Sequence, residues 1–287
     1  MEILVTEKSS GYELIDSGDG MKLERYGSVI LSRPENQAVW SKTLKQEEWD
    51  KADAFYSHGE KAGRWNKKQG VLDEWQIQFE KMNFNLKLLP SKHLGLFPEQ
   101  SQNWIWLEEK IKKITESGGK ISVLNLFAHT GGATLACARA GAEVVHLDAS
   151  KYAVDHANKN LNDSGLKDKK VRFIVDDVRK FVEREVKRGS KYDVIILDPP
   201  VYGKGTNDKV WRIEEDLLPL LNRLKSLLSD SPLAILLNGY ASIYSSITYK
   251  NILEQVFSGK VSCGELVIKE NSSGKMLSAG IFARWEK

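Results

Sequence analysis

The sequence predicts an α/β fold with a mostly parallel sheet, and two features of the chain lead to this class. Beyond about residue 118, short apolar runs alternate with amphipathic stretches, which is the pattern of repeated βαβ units. Before that point the chain is rich in aromatic residues and its apolar pattern is irregular. The sequence therefore predicts a smaller N-terminal α+β region over residues 1–90, which we expect to recognise the substrate, and an α/β domain over residues 91–287.

The elements of the α/β domain follow from apolar periodicity and turn residues. Continuous apolar runs such as Ile121–Phe127 are typical of parallel strands buried on both faces. Near the C-terminus, the turn sequence Asn271-Ser-Ser-Gly274 predicts an antiparallel hairpin. Strands are predicted at 121–127, 143–148, 171–177, 192–197, 232–237, 261–269 and 276–285, and helices at 100–115, 130–140, 153–162, 178–187, 213–228 and 245–257. In the N-terminal region we expect strands within 12–32 and 74–89 and a helix over 42–55.

The composition excludes several classes of protein. Hydrophobic residues make up 41% and charged residues 28% of the 287 residues, without an apolar run of the roughly 20 residues that a membrane helix needs. Cys137 and Cys263 are far apart and match no metal-ligand spacing, so we expect no metal and a reducing, cytoplasmic location. The net charge of +3 permits an RNA partner without indicating one, and the oligomeric state is not predicted.

The first strand of the α/β domain leads into a loop suited to a ligand. In Phe127–Gly132, the glycines let the backbone approach a ligand, and the following helix begins with free N–H groups. Gly131 and Gly132 are adjacent and lack the third glycine of the G-x-G-x-x-G pattern, which disfavours a nicotinamide oxidoreductase. His129 either orients a ligand carboxylate or is a half-buried packing residue.

Acidic residues close the second and third predicted strands. A carboxylate at Asp148 is placed to accept hydrogen bonds from both ribose hydroxyls of an adenosine ligand. Asp176 and Asp177 close the third strand, where a carboxylate can accept from an adenine amino group. Aspartates also begin helices as caps, which is the alternative role at this position.

The segment Asp198-Pro-Pro-Val-Tyr202 closes the fourth strand and is the strongest signal in the sequence. Two prolines fix an extended, rigid loop, and an acidic group before it can orient a base amino group beside an electrophile. Ligands of such sheets bind beyond the carboxyl ends of the strands. Tyr202 either stacks on the base or packs in the core. Trp211 either flanks the base or anchors a surface helix.

Taken in order, Leu126–Gly132, His146–Ser150, Asp176–Val178 and Asp198–Tyr202 resemble the motifs of class I S-adenosylmethionine (SAM)-dependent methyltransferases. Within that class they are similar to the large-subunit ribosomal RNA methyltransferases with T-G-G and D-P-P motifs. The resemblance covers roughly residues 85–240. It implies a Rossmann-like class I methyltransferase sheet with the C-terminal antiparallel hairpin, and SAM as the cofactor.

The resemblance also implies roles for individual residues. The loop 128–132 would hold the methionine end of SAM, Asp148 the ribose and Asp177 the adenine. The segment Gly95–Gln100 is similar to a G-x-F-x-x-Q segment that caps the cofactor in that family. The implied cofactor-binding residues are Phe97, Gln100, Phe127, Ala128, His129, Thr130, Gly131, Gly132, Asp148, Ala149, Ser150, Asp176, Asp177, Val178 and Asp198, and the implied catalytic positions are Asp198, Pro199, Pro200 and Tyr202.

Two departures from the family bear on the reaction. Relatives that methylate carbon 5 of cytosine through a cysteine adduct carry a cysteine just after the fifth strand, where Leu237–Tyr240 has none. We therefore expect methyl transfer to a nucleobase of RNA without a covalent cysteine intermediate, and ribosomal RNA is the first candidate. Residues 1–90 do not show the RNA-binding PUA pattern of many relatives. A protein side chain or small molecule as acceptor, and a non-catalytic SAM-binding module, are the alternatives.

Overall fold

The structure, a computed structural model, describes residues 1–57, 63–204, 210–240 and 243–287. These residues divide into a larger unit, residues 1–4, 102–265 and 280–287, and a smaller unit, residues 5–101 and 266–279. The boundary predicted between residues 90 and 91 lies within the smaller unit. Among the described residues, none of the helices combines the length and the apolar character needed to cross a membrane.

The elements are numbered in chain order. The strands are β1 (Glu2–Thr6), β2 (Tyr12–Gly18), β3 (Met21–Tyr26), β4 (Val29–Pro34), β5 (Ala54–Ser57), β6 (Arg64–Lys67), β7 (Glu74–Phe79), β8 (Met82–Lys87), β9 (Ser122–Leu126), β10 (Glu143–Asp148), β11 (Val171–Val175), β12 (Val194–Leu197), β13 (Tyr202–Lys204), β14 (Val210–Arg212), β15 (Ala234–Tyr240), β16 (Lys260–Lys269) and β17 (Met276–Glu286). The helices are α1 (Gln46–Trp49), α2 (Ser101–Thr115), α3 (Gly132–Arg139), α4 (Lys151–Asp163), α5 (Val178–Arg188), α6 (Ile213–Lys225) and α7 (Ser246–Val256), and a 3-10 turn spans Pro98–Gln100.

The large sheet has the strand order β1-β16-β17-β15-β12-β9-β10-β11. Strands β9, β10, β11, β12 and β15 pair in parallel, whereas β17 runs antiparallel to β15. From β9 the chain moves outward to β10 and β11, and it then returns to β12 on the other side of β9. The strand order therefore reverses between β9 and β12. The α/β fold class and the C-terminal hairpin predicted from the sequence are confirmed.

The central strands are mostly apolar on both faces, which is typical of a parallel sheet covered by helices on each side. All four residues of β12 are buried, as expected for a strand covered by helices on each side. Leu197 pairs with Leu126 of β9 and with Leu237 of β15. Because β9 and β12 end in register, Phe127 and Asp198 come to the same edge of the sheet, beside Asn238 of β15, which continues to Tyr240.

Two short antiparallel strands, β13 and β14, follow the Asp-Pro-Pro segment. Tyr202 pairs with Arg212 and Gly203 with Trp211. Residues 205–209 lie outside the described residues. β13 begins one residue beyond Pro200, after Val201, and β14 ends directly before α6, so the two strands connect the predicted Asp-Pro-Pro loop to the helix layer.

The smaller unit contains a five-stranded sheet, β2-β3-β4-β5-β6, and the two-stranded sheet β7-β8. The helix predicted over 42–55 is wrong: only the single turn α1 forms, and β5 follows it. The backbone N–H of Leu44 donates to Asp16 Oδ2 at 2.9 Å, and Asp53 Oδ2 accepts from the N–H of Ile30 at 2.7 Å. These contacts fix both ends of the segment to neighbouring strands, so the helix cannot extend.

A buried ionic cluster stabilises the smaller sheet around Glu24. Its carboxylate accepts hydrogen bonds from Tyr12 at 2.8 Å, Tyr26 at 3.2 Å and Arg33 at 2.6 Å. Burial alone would raise the pKa of Glu24, but the charges of Arg33 and Lys22 lower it to about 2. The cluster is therefore ionised, and its charges compensate one another as buried charges must.

Candidate functional site

The structure places the two predicted loops side by side at the carboxyl edge of the large sheet. Phe127 and Asp198 follow the paired residues Leu126 and Leu197 of β9 and β12. These are the strands between which the strand order reverses, and ligands of open α/β sheets bind in the crevice outside the carboxyl ends at such a point. The position predicted from the sequence motifs and the position required by the topology are the same.

The loop 127–132 has an unusual backbone. Phe127 has a φ of 56°, His129 of 48° and Gly131 of 90°, and such values cost a non-glycine residue of order 1–3 kcal/mol each. Two hydrogen bonds support the loop, from the N–H of Ala128 to the carbonyl of Leu147 at 3.0 Å and from the N–H of Gly131 to the carbonyl of Ala128 at 3.1 Å. Strain of this kind clusters at ligand sites, where it fixes the path of the backbone.

Helix α3 begins with N–H groups that no side chain caps. Gly131 is its N-cap residue and has no side chain to accept from them, so these donors are available to an anionic ligand group. A Cβ at Gly132 would lie 2.2 Å from the indole of Trp104. Glycine is therefore required at this position because the tryptophan of α2 packs directly on the helix start.

Asp148 ends β10 and supports the loop through two backbone N–H groups. Its Oδ2 accepts from the N–H of His129 at 2.9 Å, and its Oδ1 accepts from the N–H of Ser150 at 2.8 Å. Each carboxylate oxygen has a further lone pair, and the side chain is half-buried. Asp148 can therefore hold the loop and still accept from a ribose diol, which fits an adenosyl ligand. Ala149 and Ser150 are exposed beside it at the start of α4.

A chain of buried polar side chains lies beneath the loop. Asn125 Nδ2 donates to Thr134 Oγ1 at 2.9 Å, and the same hydroxyl is hydrogen-bonded to His146 Nδ1, also at 2.9 Å. Burial lowers the pKa of His146 to about 3, so its ring is neutral. The sequence argument missed this chain, although a polar residue inside each apolar strand was its signal. Burial likewise lowers the pKa of His129, against the opposing charge of Asp148.

Asp176 and Asp177 already have protein partners. Asp177 caps α5, where its Oδ1 accepts from the N–H groups of Arg179 at 3.0 Å and Lys180 at 3.3 Å, and its Oδ2 pairs with the Arg179 guanidinium at 2.9 Å. Asp176 forms an ion pair with Arg184. The capping role that the sequence left open for Asp177 is present, and a contact with adenine stays a prediction. Val178 begins α5 and is buried.

Asp198 is the unpaired acid of the site. Within the described part of the chain, its carboxylate has neither a hydrogen-bond nor an ion-pair partner. The residue is exposed at the edge, yet the surrounding protein removes enough water to raise its pKa to about 6. Pro199 is buried behind it and Pro200 is exposed. An unpaired carboxylate at the point where the strand order reverses is available to a ligand.

Trp211 holds the Asp-Pro-Pro loop against the glycine loop. Its indole Nε1 donates to the carbonyl of Pro200 at 2.7 Å, and its ring packs on Phe127 with 4.9 Å between centroids. Trp211 is buried, so it acts as an anchor rather than a group that flanks a base. Tyr202, in contrast, is 55% exposed, with the guanidinium of Arg212 5.8 Å from its ring centroid. Core packing of Tyr202 is therefore wrong.

The remaining predicted residues lie in two places. Phe97 precedes the 3-10 turn and Gln100 ends it, and both belong to the smaller unit. Their closure over a cofactor stays a prediction. Ala128 and Thr130 are buried within the glycine loop, where the carbonyl of Thr130 accepts from Asn160 Nδ2 at 3.0 Å.

The glycine loop, the acid Asp148 at the end of β10 and the Asp-Pro-Pro loop all lie at the carboxyl edge of the large sheet. This fold and this arrangement are those of a class I methyltransferase. The chain belongs to the family of S-adenosylmethionine-dependent methyltransferases, whose family model matches residues 54–251. The residues present fit SAM, because α3 offers uncapped N–H groups and Asp148 retains acceptor capacity.

Solved structures and curated relatives agree with this assignment. A SAM-dependent methyltransferase from Agrobacterium tumefaciens is 36% identical, with a TM-score of 0.94 over 100% of this chain and 93% of that one. The ribosomal RNA large subunit methyltransferase I of Aeromonas salmonicida is 41% identical over 111 residues, which are 38% of this chain and 26% of the relative. The tRNA m1G37 methyltransferase of Methanocaldococcus jannaschii, at 13% identity and a TM-score of 0.55 over 96% of this chain and 74% of that one, shares the fold. The first curated relatives are matched over 26–39% of their own length.

We expect the substitution Asp148→Asn to weaken SAM binding about tenfold or more, because the amide nitrogen cannot accept from a ribose hydroxyl or from the loop N–H. Isothermal titration calorimetry measures the change. Asp193→Asn is the matched control: Asp193 Oδ2 also accepts from a backbone N–H, that of Ser122 at 2.8 Å, but at the amino end of β12. Equal SAM affinities for the two variants would contradict a role of Asp148 in the cofactor site.

We expect Trp211→Phe to keep a ring against Phe127 but to lose the hydrogen bond to Pro200, which costs about 1 kcal/mol of the free energy of unfolding. Chemical denaturation measures that loss. Trp285→Phe is the control, because the buried indole nitrogen of Trp285 has no partner in the described part of the chain. If both variants lose the same free energy of unfolding, Trp211 does not anchor the loop through its N–H.

Proposed function

We propose that this protein transfers a methyl group from SAM to a nitrogen of an RNA nucleobase, with ribosomal RNA as the substrate class. The unpaired carboxylate of Asp198 beside the rigid Pro199-Pro200 loop carries this proposal. It is a hydrogen-bond acceptor without a partner among the residues that the structure describes, at the edge where we expect the cofactor to bind. Such a group suits an N–H of an incoming base rather than a role in stabilising the fold.

The chain's task is to position the reacting groups, because bound SAM supplies a methyl group already activated by its sulfonium. The glycine loop and Asp148 hold the cofactor from one side of the reversal point. Asp198 accepts a hydrogen bond from the acceptor nitrogen and thereby turns the lone pair of that nitrogen toward the methyl group. Tyr202, exposed on β13, stacks on the base, as aromatic side chains do with bases taken out of a helix.

RNA as the substrate is supported by the names of the relatives and by the surface around Asp198. The curated relatives are named as ribosomal RNA large subunit methyltransferases. Tyr202 at the start of β13 is 55% exposed and Tyr240 at the end of β15 is 44% exposed, and the guanidinium of Arg212 lies over the ring of Tyr202. Exposed aromatic rings with a neighbouring guanidinium are typical of surfaces that stack unpaired bases.

A mechanism without a cysteine adduct is supported by the state of both thiols. Cys137 and Cys263 are buried, and burial raises the pKa of Cys137 well above its usual range. A thiol of this kind is not the nucleophile that covalent attack on a pyrimidine requires. Asn238-Gly239-Tyr240 provides no thiol at the end of β15. Direct attack by nitrogen is the reaction that the remaining groups favour.

We expect Asp198→Ala to reduce methyl transfer about 100-fold or more, because the acceptor nitrogen loses the group that orients it. SAM affinity should change only a few-fold, since the glycine loop and Asp148 are unaltered. The measurement is transfer of tritium from labelled SAM to ribosomal RNA, with nuclease and protease controls, beside calorimetry of SAM binding. Loss of transfer together with SAM binding would make Asp198 a structural residue. Label that survives nuclease but not protease would replace RNA by a protein acceptor.

We expect kcat/KM for the RNA acceptor to fall as the pH drops through about 6, because the raised pKa of Asp198 lies there. Above that pH the charged carboxylate accepts strongly from an N–H, whereas below it the neutral acid is a weaker acceptor and carries an O–H donor of its own. Initial rates at low acceptor concentration between about pH 5 and 8 measure this dependence. A profile that stays flat down to about pH 5 while SAM still binds would contradict it.

A further inference from the structure

A second unpaired polar group lies at the same edge, the hydroxyl of Tyr249 on α7. The residue is 3% exposed, and within the described part of the chain its hydroxyl forms no hydrogen bond. The ring is buried, but the hydroxyl oxygen is not one of the fully enclosed polar atoms without a partner, so it reaches the surface at this edge. An accessible hydroxyl without a hydrogen bond to the described residues is available to a ligand.

The position of this hydroxyl is fixed by Gly239 at the end of β15. A Cβ at Gly239 would lie 2.4 Å from the Tyr249 hydroxyl oxygen, so the ring reaches this place only because residue 239 has no side chain. Gly239 lies two residues beyond Leu237, which pairs with Leu197 directly before Asp198. Burial, followed by the charge of Asp198, raises the pKa of Tyr249. The hydroxyl and the carboxylate are thus neighbours at the ends of adjacent strands.

Two other tyrosines of the larger unit show what a structural hydroxyl does here. The hydroxyl of Tyr192, at the amino end of β12, donates to Glu185 at 2.7 Å. Tyr244, whose ring stacks on Tyr249 with 6.4 Å between centroids, donates to Glu214. The hydroxyls of both tyrosines therefore have a carboxylate partner within the protein. Tyr249 has the comparable neighbour Asp198, and yet no hydrogen bond joins the two, which leaves both groups to a third molecule.

We propose that the Tyr249 hydroxyl is a second group that binds the methyl acceptor, on the edge next to the nitrogen oriented by Asp198; this rests on the proposed function of that site. The carboxylate accepts from an N–H, and the hydroxyl donates to a neighbouring ring nitrogen or carbonyl oxygen. The pair recognises a nucleobase edge with a donor beside an acceptor. It discriminates against an acceptor that lacks the second group, because that acceptor makes one hydrogen bond fewer.

The test compares Tyr249→Phe with Tyr244→Phe in the full chain, using ribosomal RNA and tritiated SAM. We expect Tyr249→Phe to lower kcat/KM for the RNA about tenfold through a higher KM, in line with the loss of one hydrogen bond. SAM affinity should be unchanged. The melting temperature should also be unchanged, because in the free protein this hydroxyl has no partner to lose. Tyr244→Phe should leave kcat/KM as in the wild type.

The outcomes separate this inference from the proposed function. If wild-type protein labels RNA and Tyr249→Phe does so with the same kcat/KM, Tyr249 does not bind the acceptor, whereas the proposed function stands. A lower melting temperature with unchanged KM would assign the hydroxyl a structural role and also overturn the inference. If wild-type protein labels a protein or small-molecule fraction instead, the proposal of RNA as the substrate is wrong. The inference on Tyr249 is then decided by comparing kcat/KM of Tyr249→Phe and Tyr244→Phe for that fraction. Absence of transfer to any fraction overturns both.

Discussion

The pairing of β9 with β12 is the contact on which the rest of the site depends. Leu126 and Leu197 end in register, so the glycine loop and the Asp-Pro-Pro loop, about 70 residues apart in the chain, meet at one edge. The strand order reverses between these two strands, and ligands of open α/β sheets bind beyond the carboxyl ends of the strands at such a point. The groups that we propose bind the cofactor and the acceptor are close together because the two strands are neighbours.

The residues at this edge divide into groups that shape the loops and groups that we propose bind the substrate. Asp148 holds the strained loop through two backbone N–H groups and retains lone pairs for a ribose. Trp211 fastens the Asp-Pro-Pro loop and packs on Phe127, whose positive φ turns the backbone toward the crevice. In contrast, Asp198 and Tyr249 have no hydrogen-bond partner in the described part of the chain. The supporting groups have their hydrogen-bond partners within the protein. The carboxylate of Asp198 and the hydroxyl of Tyr249 lie instead at the edge where we propose that the substrate binds.

The sequence was informative wherever the pattern was local and repeated. Apolar runs such as Val194–Leu197 and the hairpin turn at 271–274 were read correctly, because periodicity and turn chemistry act over a few residues. The segment 42–55 was misread, since its conformation depends on contacts with Asp16 and with the N–H of Ile30. The apolar periodicity of a sequence carries no information on such contacts, because they join residues that are distant along the chain. The role of Trp211 and the placement of Tyr249 on Gly239 likewise required the tertiary structure.

A crystal structure of the protein with S-adenosylhomocysteine, the demethylated cofactor, is the most direct measurement of the central claim. We expect its ribose hydroxyls to contact the carboxylate of Asp148, its amino acid end to lie against the loop 128–132, and its sulfur to face Asp198. A ligand bound away from the β9–β12 edge, or one that leaves Asp148 untouched, would contradict the site described above. Such a result would mean that the sequence motifs do not mark the cofactor site.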